Sequence, residues 1–329
     1  MSKVLITGGA GFIGSHLAEL LLTNGDTVFI IDDLSTGSLD NININKKYSL
    51  FSYEISSIHN EELVNSAVKQ ADVIYHLAAS VGVKRIIEEL VGSIENTIRG
   101  SEVVLRAAAK HGKKILLTST SEVYGRQNDQ PYLETDDLRM GATIKTRWSY
   151  ACSKALDEYL AFAYYHERNL PVIITRLFNT VGQRQSAAYG MVLPIFIKQA
   201  LSNQPLTIYG DGEQSRCFCH VSDVSRALYE LSLHPKSIGE VFNVGSSTEI
   251  TINQLADKVI TLLGSNSAKQ YLPYNQVYKV GFDDIRRRVP NISKITKHIN
   301  WQPKIDLDDI ILKIAMSSAK TPKTINAVQ

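Results

Sequence analysis

The first 33 residues leave the fold little freedom. Lys3-Val4-Leu5-Ile6-Thr7 is a short apolar run, followed at once by Gly8-Gly9-Ala10-Gly11-Phe12-Ile13-Gly14. A helical pattern through Leu17, Leu20, Leu21 and Leu22 ends at Asn24-Gly25. Thr27-Val28-Phe29-Ile30-Ile31 is a second apolar run, and it stops at Asp32-Asp33. The order is strand, glycine-rich turn, helix, strand, acid. Gly8, Gly11 and Gly14 have separate tasks: a tight turn, close backbone approach to a pyrophosphate, and packing of helix on strand. The helix that begins in this turn, with Phe12 and Ile13, offers free N–H groups and a positive dipole end to phosphates. Asp32 lies 18 residues past Gly14, at a strand tip, where a carboxylate can hydrogen-bond an adenosine ribose. Its charge repels a 2′-phosphate, and Asp33-Leu34 supply no arginine to receive one. The stretch therefore predicts NAD rather than NADP.

The alternation continues. Tyr48–Tyr53 reads as a strand, Asn60–Lys69 as a helix, and Asp72–His76 as a buried strand running into Leu77-Ala78-Ala79. Small residues at that strand end let a flat cofactor lie against the backbone. His76 lies inside an apolar run, which favours a packed histidine over a catalytic one. Helical patterning follows from about Glu89 to Lys110, then strands at Lys114–Thr118 and Pro171–Arg176. Nearly all-apolar strands alternating with helices imply a parallel sheet covered on both faces. The expectation is a Rossmann-type, doubly wound α/β sheet over residues 1–178. Beyond Asn179, glycine, proline and aromatics become denser, as in Tyr209-Gly210-Asp211-Gly212. Residues 179–329 read as a smaller C-terminal substrate-binding lobe, with Val241–Val244 a strand able to rejoin the sheet. The tail after Ala319 is polar and expected to fray.

Composition narrows the partners. A chain of 329 residues with 44% hydrophobic content can bury a large core. The net charge of +2 and the lack of a long basic run argue against nucleic acid. No stretch approaches the ~20 apolar residues of a membrane helix. Cys152, Cys217 and Cys219, an odd and small number, read as reduced thiols of a cytoplasmic protein. Cys217-Phe-Cys219 is too tight for zinc, so no metal is expected.

The chemistry gathers in Arg147-Trp148-Ser149-Tyr150-Ala151-Cys152-Ser153-Lys154. Tyr150 and Lys154 share a helix face, one turn apart. A nearby ammonium favours tyrosinate and so makes a base of a phenol. Upstream, Ser119-Thr120-Ser121-Glu122 follows a strand end, where open parallel sheets bind ligands. Thr120 can bind a sugar hydroxyl and share its proton with Tyr150, or can cap a turn. Lys154 can hold the nicotinamide ribose and keep Tyr150 ionised. The set suits removal of a proton from an alcohol while hydride leaves to NAD.

Together these motifs resemble the extended short-chain dehydrogenase/reductase family, the nucleotide-sugar epimerases, dehydratases and decarboxylases. The likeness spans nearly the whole chain: Thr7–Gly14, His76–Ala79, Ser119–Gly125, Tyr150/Lys154, Arg176–Thr180, Leu206–Gly212, Arg216, Arg288–Asn291 and Trp301-Gln302-Pro303. It implies that Asn179 and Arg216 contact the nucleotide-sugar phosphates, with Arg288 a further candidate. It also implies a nucleotide under Leu206–Tyr209, Ile55 near the adenine, and Arg184 among the substrate contacts. Gly182-Gln183-Arg184 departs from the usual Gly-Pro-Arg, and Glu54-Ile55 from Asp-Ile. For Arg286–Arg288 a solvated turn remains the other reading.

The family shares oxidation of the sugar at C4 and then diverges. Glu122 after Ser121 resembles UDP-glucuronate decarboxylases of the UDP-xylose synthase type. Arg147, three residues before Tyr150, points a fork of donors suited to a carboxylate into the same cleft; the other reading is a helix-start residue paired with an acid. Lys84 and Arg85 either hold an anionic sugar or lie on a surface helix. The leading expectation is a UDP-hexuronate decarboxylase, followed by a UDP-sugar 4-epimerase and then a 4,6-dehydratase. A non-catalytic NAD-binding scaffold fits poorly, since Tyr150, Lys154 and Thr120 are all present. The Tyr150 helix is apolar around most of its circumference, through Leu156, Tyr159, Leu160, Phe162 and Tyr164. It and the 89–110 helix are expected to build a homodimer.

Overall fold

The computed structural model describes residues 1–79, 89–126, 131–186, 190–277 and 285–320. Lys84, Arg85 and the tail from 321 lie outside the described residues. In chain order the strands are β1 (Lys3–Thr7), β2 (Thr27–Asp32), β3 (Phe51–Ile55), β4 (Val73–His76), β5 (Lys114–Thr120) and β6 (Val172–Leu177). Then come β7 (Thr180–Val181), β8 (Leu206–Tyr209), β9 (Ser215–Cys217), β10 (Cys219–His220), β11 (Glu240–Val244), β12 (Glu249–Thr251) and β13 (Lys269–Leu272).

Seven strands form one sheet in the order β11-β6-β5-β4-β1-β2-β3, every neighbour parallel. The direction of winding reverses between β1 and β4, which opens a crevice at their carboxyl ends. Apolar runs fill these strands because both faces are covered. One face packs Leu17 and Leu21 of the Phe12–Thr23 helix and Val224 and Leu228 of the Val221–Leu233 helix against Val28 and Ile30. The other packs Val64 and Val68, Val104 and Leu105, and Ala161 against Ile115 and Leu117. Those residues come from the helices Glu61–Gln70, Leu90–His111 and Trp148–Arg168.

The Val241–Val244 segment does rejoin the sheet, as β11 beside β6, and the Val221–Leu233 helix returns with it. The two lobes are therefore interleaved along the chain. The second lobe has its own core, in which Phe196, Ile208, Leu255 and Ile311 meet. Its strands form three small pairs, β7 with β10, β8 with β13, and β9 with β12.

Candidate active site

A cleft of ≈ 1310 Å³ runs along the carboxyl ends of the sheet and under the second lobe. Its first wall is the glycine turn. Gly8 has φ +75°, and a Cβ there would lie 2.7 Å from the Ala78 nitrogen. A Cβ on Gly14 would lie 2.2 Å from the Gly8 carbonyl oxygen. Turn, helix and the β4 exit thus close on one another with no room for side chains. The helix that follows has Gly11 as N-cap and no side-chain cap bond, so the wall presents backbone rather than side chain. Asp32 is buried and accepts N–H bonds from Ala10 (2.9 Å) and Leu34 (2.8 Å). Burial raises its carboxyl above the ordinary value, and those two N–H groups oppose the rise. This cradle fits the pyrophosphate and ribose of a dinucleotide.

Gly8, Gly11, Phe12, Ile13, Gly14, Asp32 and Leu77–Ala79 all line the cleft. Ile55 does not; it is half exposed at the end of β3, and Ser57 and Ile58 line the wall instead. Two residues further along the chain, the backbone has turned inward under the ribose wall.

The second wall carries the polar chemistry. Thr120 ends β5, and its Oγ accepts the Glu122 N–H at 3.2 Å, which starts the 3-10 turn Ser121–Tyr124. The capping reading is therefore correct, and the hydroxyl also lines the cleft. Glu122 Oε1 stands 3.5 Å from Arg147 Nη2 and 3.4 Å from Arg288 Nη1. Arg288 Nη1 is also 3.4 Å from Ser121 Oγ. Both arginines are buried. Three distant segments, the turn after β5, the start of the Trp148–Arg168 helix and the segment after 285, converge on one carboxylate. Asn179, Arg184, Tyr209 and Arg216 line the same cleft. Arg184, however, pairs with Glu19 and reaches Ser15, both on the glycine-turn helix, which puts it on the dinucleotide side.

Tyr150 faces the cleft, and its phenol is pushed well above the ordinary value by burial, with Glu122 and Asp157 adding to the rise. Lys154 departs from expectation. It does not line the cleft; its Nζ donates to Asp157 Oδ2 at 2.7 Å, and both groups are buried. Sequence reasoning weighed the i,i+4 tyrosine and missed the i,i+3 carboxylate, which satisfies the ammonium better than a neutral phenol does. His76 is packed, not catalytic in position: Nδ1 is 2.7 Å from Thr7 Oγ1 and Nε2 is 3.1 Å from Ser101 Oγ. Also unforeseen is the clamp behind Thr120, where Ser119 and Arg176 both bond Glu158 and lock β5 and β6 to the helix. Gln214 and Tyr274 complete the second-lobe wall, with Gln214 Nε2 donating to the Tyr209 carbonyl (3.0 Å) and Tyr274 hydroxyl (3.1 Å).

A family model described as GDP-mannose 4,6 dehydratase matches residues 5–314. The chain belongs to this family of extended short-chain dehydrogenase/reductases. Among its relatives is a UDP-N-acetyl-alpha-D-glucosaminuronate decarboxylase from Bacillus cytotoxicus, 40% identical over 92% of this chain and 93% of the relative. UDP-glucuronic acid decarboxylase 1 of Arabidopsis thaliana is 34% identical over 93% of this chain and 67% of that protein. Among solved structures, a UDP-glucuronic acid 4-epimerase from Bacillus cereus, in complex with UDP-glucuronic acid and NAD, superposes with a TM-score of 0.86. It is 29% identical, covering 96% of this chain and 98% of that one. This extended short-chain dehydrogenase/reductase is an NAD-dependent nucleotide-sugar enzyme on a Rossmann-type sheet. Among its described residues, no helix is long and apolar enough to cross a membrane.

Proposed function

We propose that this enzyme decarboxylates a UDP-linked hexuronate through a 4-keto intermediate. The observation that carries the reading is the pair of buried arginines, Arg147 and Arg288, on Glu122 beside Tyr150. Both guanidiniums line the cleft beside Tyr150, and a planar fork of donors suits a substrate carboxylate. The two decarboxylase relatives, one named for UDP-N-acetyl-alpha-D-glucosaminuronate and one for UDP-glucuronic acid, support the same reading.

The glycine turn and Asp32 would hold NAD, which when bound supplies the acceptor for the C4 hydride and its return. Tyr150 takes the C4 hydroxyl proton, and Thr120 orients that hydroxyl. Once C4 is a ketone it is β to the C6 carboxylate, so carbon dioxide leaves and its electron pair passes into the carbonyl. Glu122, flanked by Arg147 and Arg288, would deliver the proton to C5. Asn179 and Arg216 would bind the diphosphate, and Tyr209, Gln214 and Tyr274 would frame the uridine. Arg184 would serve the dinucleotide phosphates rather than the sugar nucleotide.

Incubation with UDP-glucuronate, UDP-N-acetylglucosaminuronate and UDP-glucose, followed by mass spectrometry, tests the reading. Loss of carbon dioxide from a uronate supports it. A new sugar of unchanged mass makes the enzyme a 4-epimerase, the alternative favoured by the UDP-glucuronate-bound neighbour. Loss of water from UDP-glucose makes it a dehydratase.

The same reading includes a cytoplasmic homodimer. Cys152, Leu156, Tyr159 and Ala163 form an exposed stripe on the Trp148–Arg168 helix, and Val91 is exposed on the Leu90–His111 helix packed beside it. Three free cysteines, two of them buried, suit a reducing compartment.

A further inference from the structure

Glu122 and Arg288 meet at 3.4 Å although 166 residues separate them. What holds their two segments together lies behind the cleft, at Asn243 of β11. Asn243 does not line the cleft and is fully buried. Its Oδ1 accepts the Tyr124 hydroxyl at 2.7 Å. Its Nδ2 donates to the carbonyls of Tyr132 at 2.9 Å and Asn291 at 3.3 Å. Two carbonyls on one side settle which end of the amide carries nitrogen. Tyr124 closes the turn that bears Glu122, while Asn291 lies three residues past Arg288. Tyr132 is stitched to that second segment by its backbone: its N–H donates to the Val289 carbonyl and its carbonyl accepts the Asn291 N–H, both at 2.9 Å. The Tyr124 and Tyr132 rings also stack, with centroids 4.6 Å apart. One amide thus joins the two segments whose side chains meet in the cleft.

We propose that Asn243 is a positioning residue for the protonation of C5, because it sets the Arg288 segment against the Glu122 turn. The inference rests on the reading of the reaction as a decarboxylation. Loss of carbon dioxide leaves an enolate across C4 and C5. Glu122 gives its proton to C5, the electron pair of the double bond forms the new C–H bond, and C4 becomes a ketone again. Glu122 is left as a carboxylate, and the Arg288 guanidinium beside it stabilises that charge. A displaced guanidinium does so less well, so C5 protonation slows. Turnover then pauses at the enolate, after C4 oxidation and before C4 reduction. Asn243→Ala would leave the Tyr124 hydroxyl and two carbonyls buried without this partner, and relief of that cost moves the two segments apart.

The test uses the full-length chain turning over a UDP-linked uronate. Carbon dioxide release, steady-state NADH fluorescence and NAD+ affinity by calorimetry are read together. Asn243→Ala is expected to lower kcat about 10–100-fold and to raise the steady-state share of reduced cofactor several-fold. Its NAD+ affinity is expected to stay within about twofold of wild type. Tyr124→Phe removes one hydroxyl and keeps the ring stack, and is expected to give the same pattern in smaller measure. A fall in kcat with no rise in reduced cofactor, or with a matching loss of NAD+ affinity, would make the amide merely structural and overturn the proposal. Turnover unchanged in both variants would overturn it too. If Asn243→Ala does not fold, Tyr124→Phe decides by the same readings. A wild-type chain that releases no carbon dioxide from UDP-glucuronate or UDP-N-acetylglucosaminuronate refutes the decarboxylase reading, and the assignment of Asn243 falls with it.

Discussion

Tyr150 is surrounded by charges that oppose its ionisation. Burial raises the phenol first, then Glu122 and Asp157, while Lys154 is turned toward Asp157. Turnover that needs tyrosinate therefore rises with pH, and removing a negative neighbour shifts that acid limb downward. Glu122→Gln is expected to move the limb of the kcat profile to lower pH, even as the plateau falls through loss of a proton donor. A limb that stays in place or moves up would show that Glu122 does not face Tyr150 electrically. Tyr150→Phe is expected to lower kcat by about 10²–10⁴-fold while NAD+ binding in calorimetry is retained. Most of this site could be read from residue types at fixed spacings, because Tyr150, Glu122 and Arg147 each stand near a strand end or helix start. Asp157 could have been read too, three residues from Lys154, but only a structure shows which partner a buried ammonium chooses. Gln214 and Tyr274 had no local signal, since 60 residues separate them along the chain.

At the scale of elements, periodicity located the strands and helices and blurred their ends. Asn60, read as the first helical residue, is the N-cap of Glu61–Gln70, its side chain accepting the Leu63 N–H. The strand expected at Tyr48–Tyr53 is Phe51–Ile55, because Tyr48 closes a turn with Asn45 instead. The glycine turn was the most legible element, as its requirement is steric. Gly8 and Gly25 share a positive φ, +75° and +87°, but only Gly8 has neighbours within reach of a Cβ. Gly25→Ala is expected to cost only the backbone strain, about 1 kcal/mol. Gly8→Ala adds a collision with the backbone of Leu77 and Ala78, so it should destabilise several-fold more and abolish NAD+ binding. Paired thermal melts and calorimetry check this; equal effects of the two variants would remove the close approach as the reason for Gly8.

At the scale of the molecule, the return of Val241–Val244 to the sheet was legible as an apolar run, but its place in the strand order was not, because nothing local tells β11 to pair with β6 across the second lobe. The convergence of Arg147 and Arg288 on Glu122 depends on that tertiary path. The whole fold also has an acid weakness. Burial lowers His76 to about 3 and His16 to about 4, each from an unfolded value near 6.5. The folded state then binds fewer protons, so this stability is complete above about pH 6.5 and is lost as pH falls toward the folded values. The melting temperature should drop steadily below about pH 6.5; a flat profile would mean that neither histidine is held neutral. Assembly is the last property that follows from the whole surface. Leu156 and Tyr159, 48% and 68% exposed, lie with Cys152 and Ala163 on one outward stripe of the Trp148–Arg168 helix. Val91, 70% exposed, extends the apolar surface on the adjoining helix. A single copy leaves this face to water, whereas two copies related by a two-fold axis would pair the helices into a four-helix contact. Tyr150 and Lys154 occupy the opposite side of the same helix, so the stripe can be altered without touching the cleft. A Leu156→Glu, Tyr159→Glu double variant is expected to sediment as a monomer while still binding NAD+. A wild-type chain that sediments as a monomer at micromolar concentration would refute the dimer outright, and a double variant that stays dimeric would move the interface elsewhere.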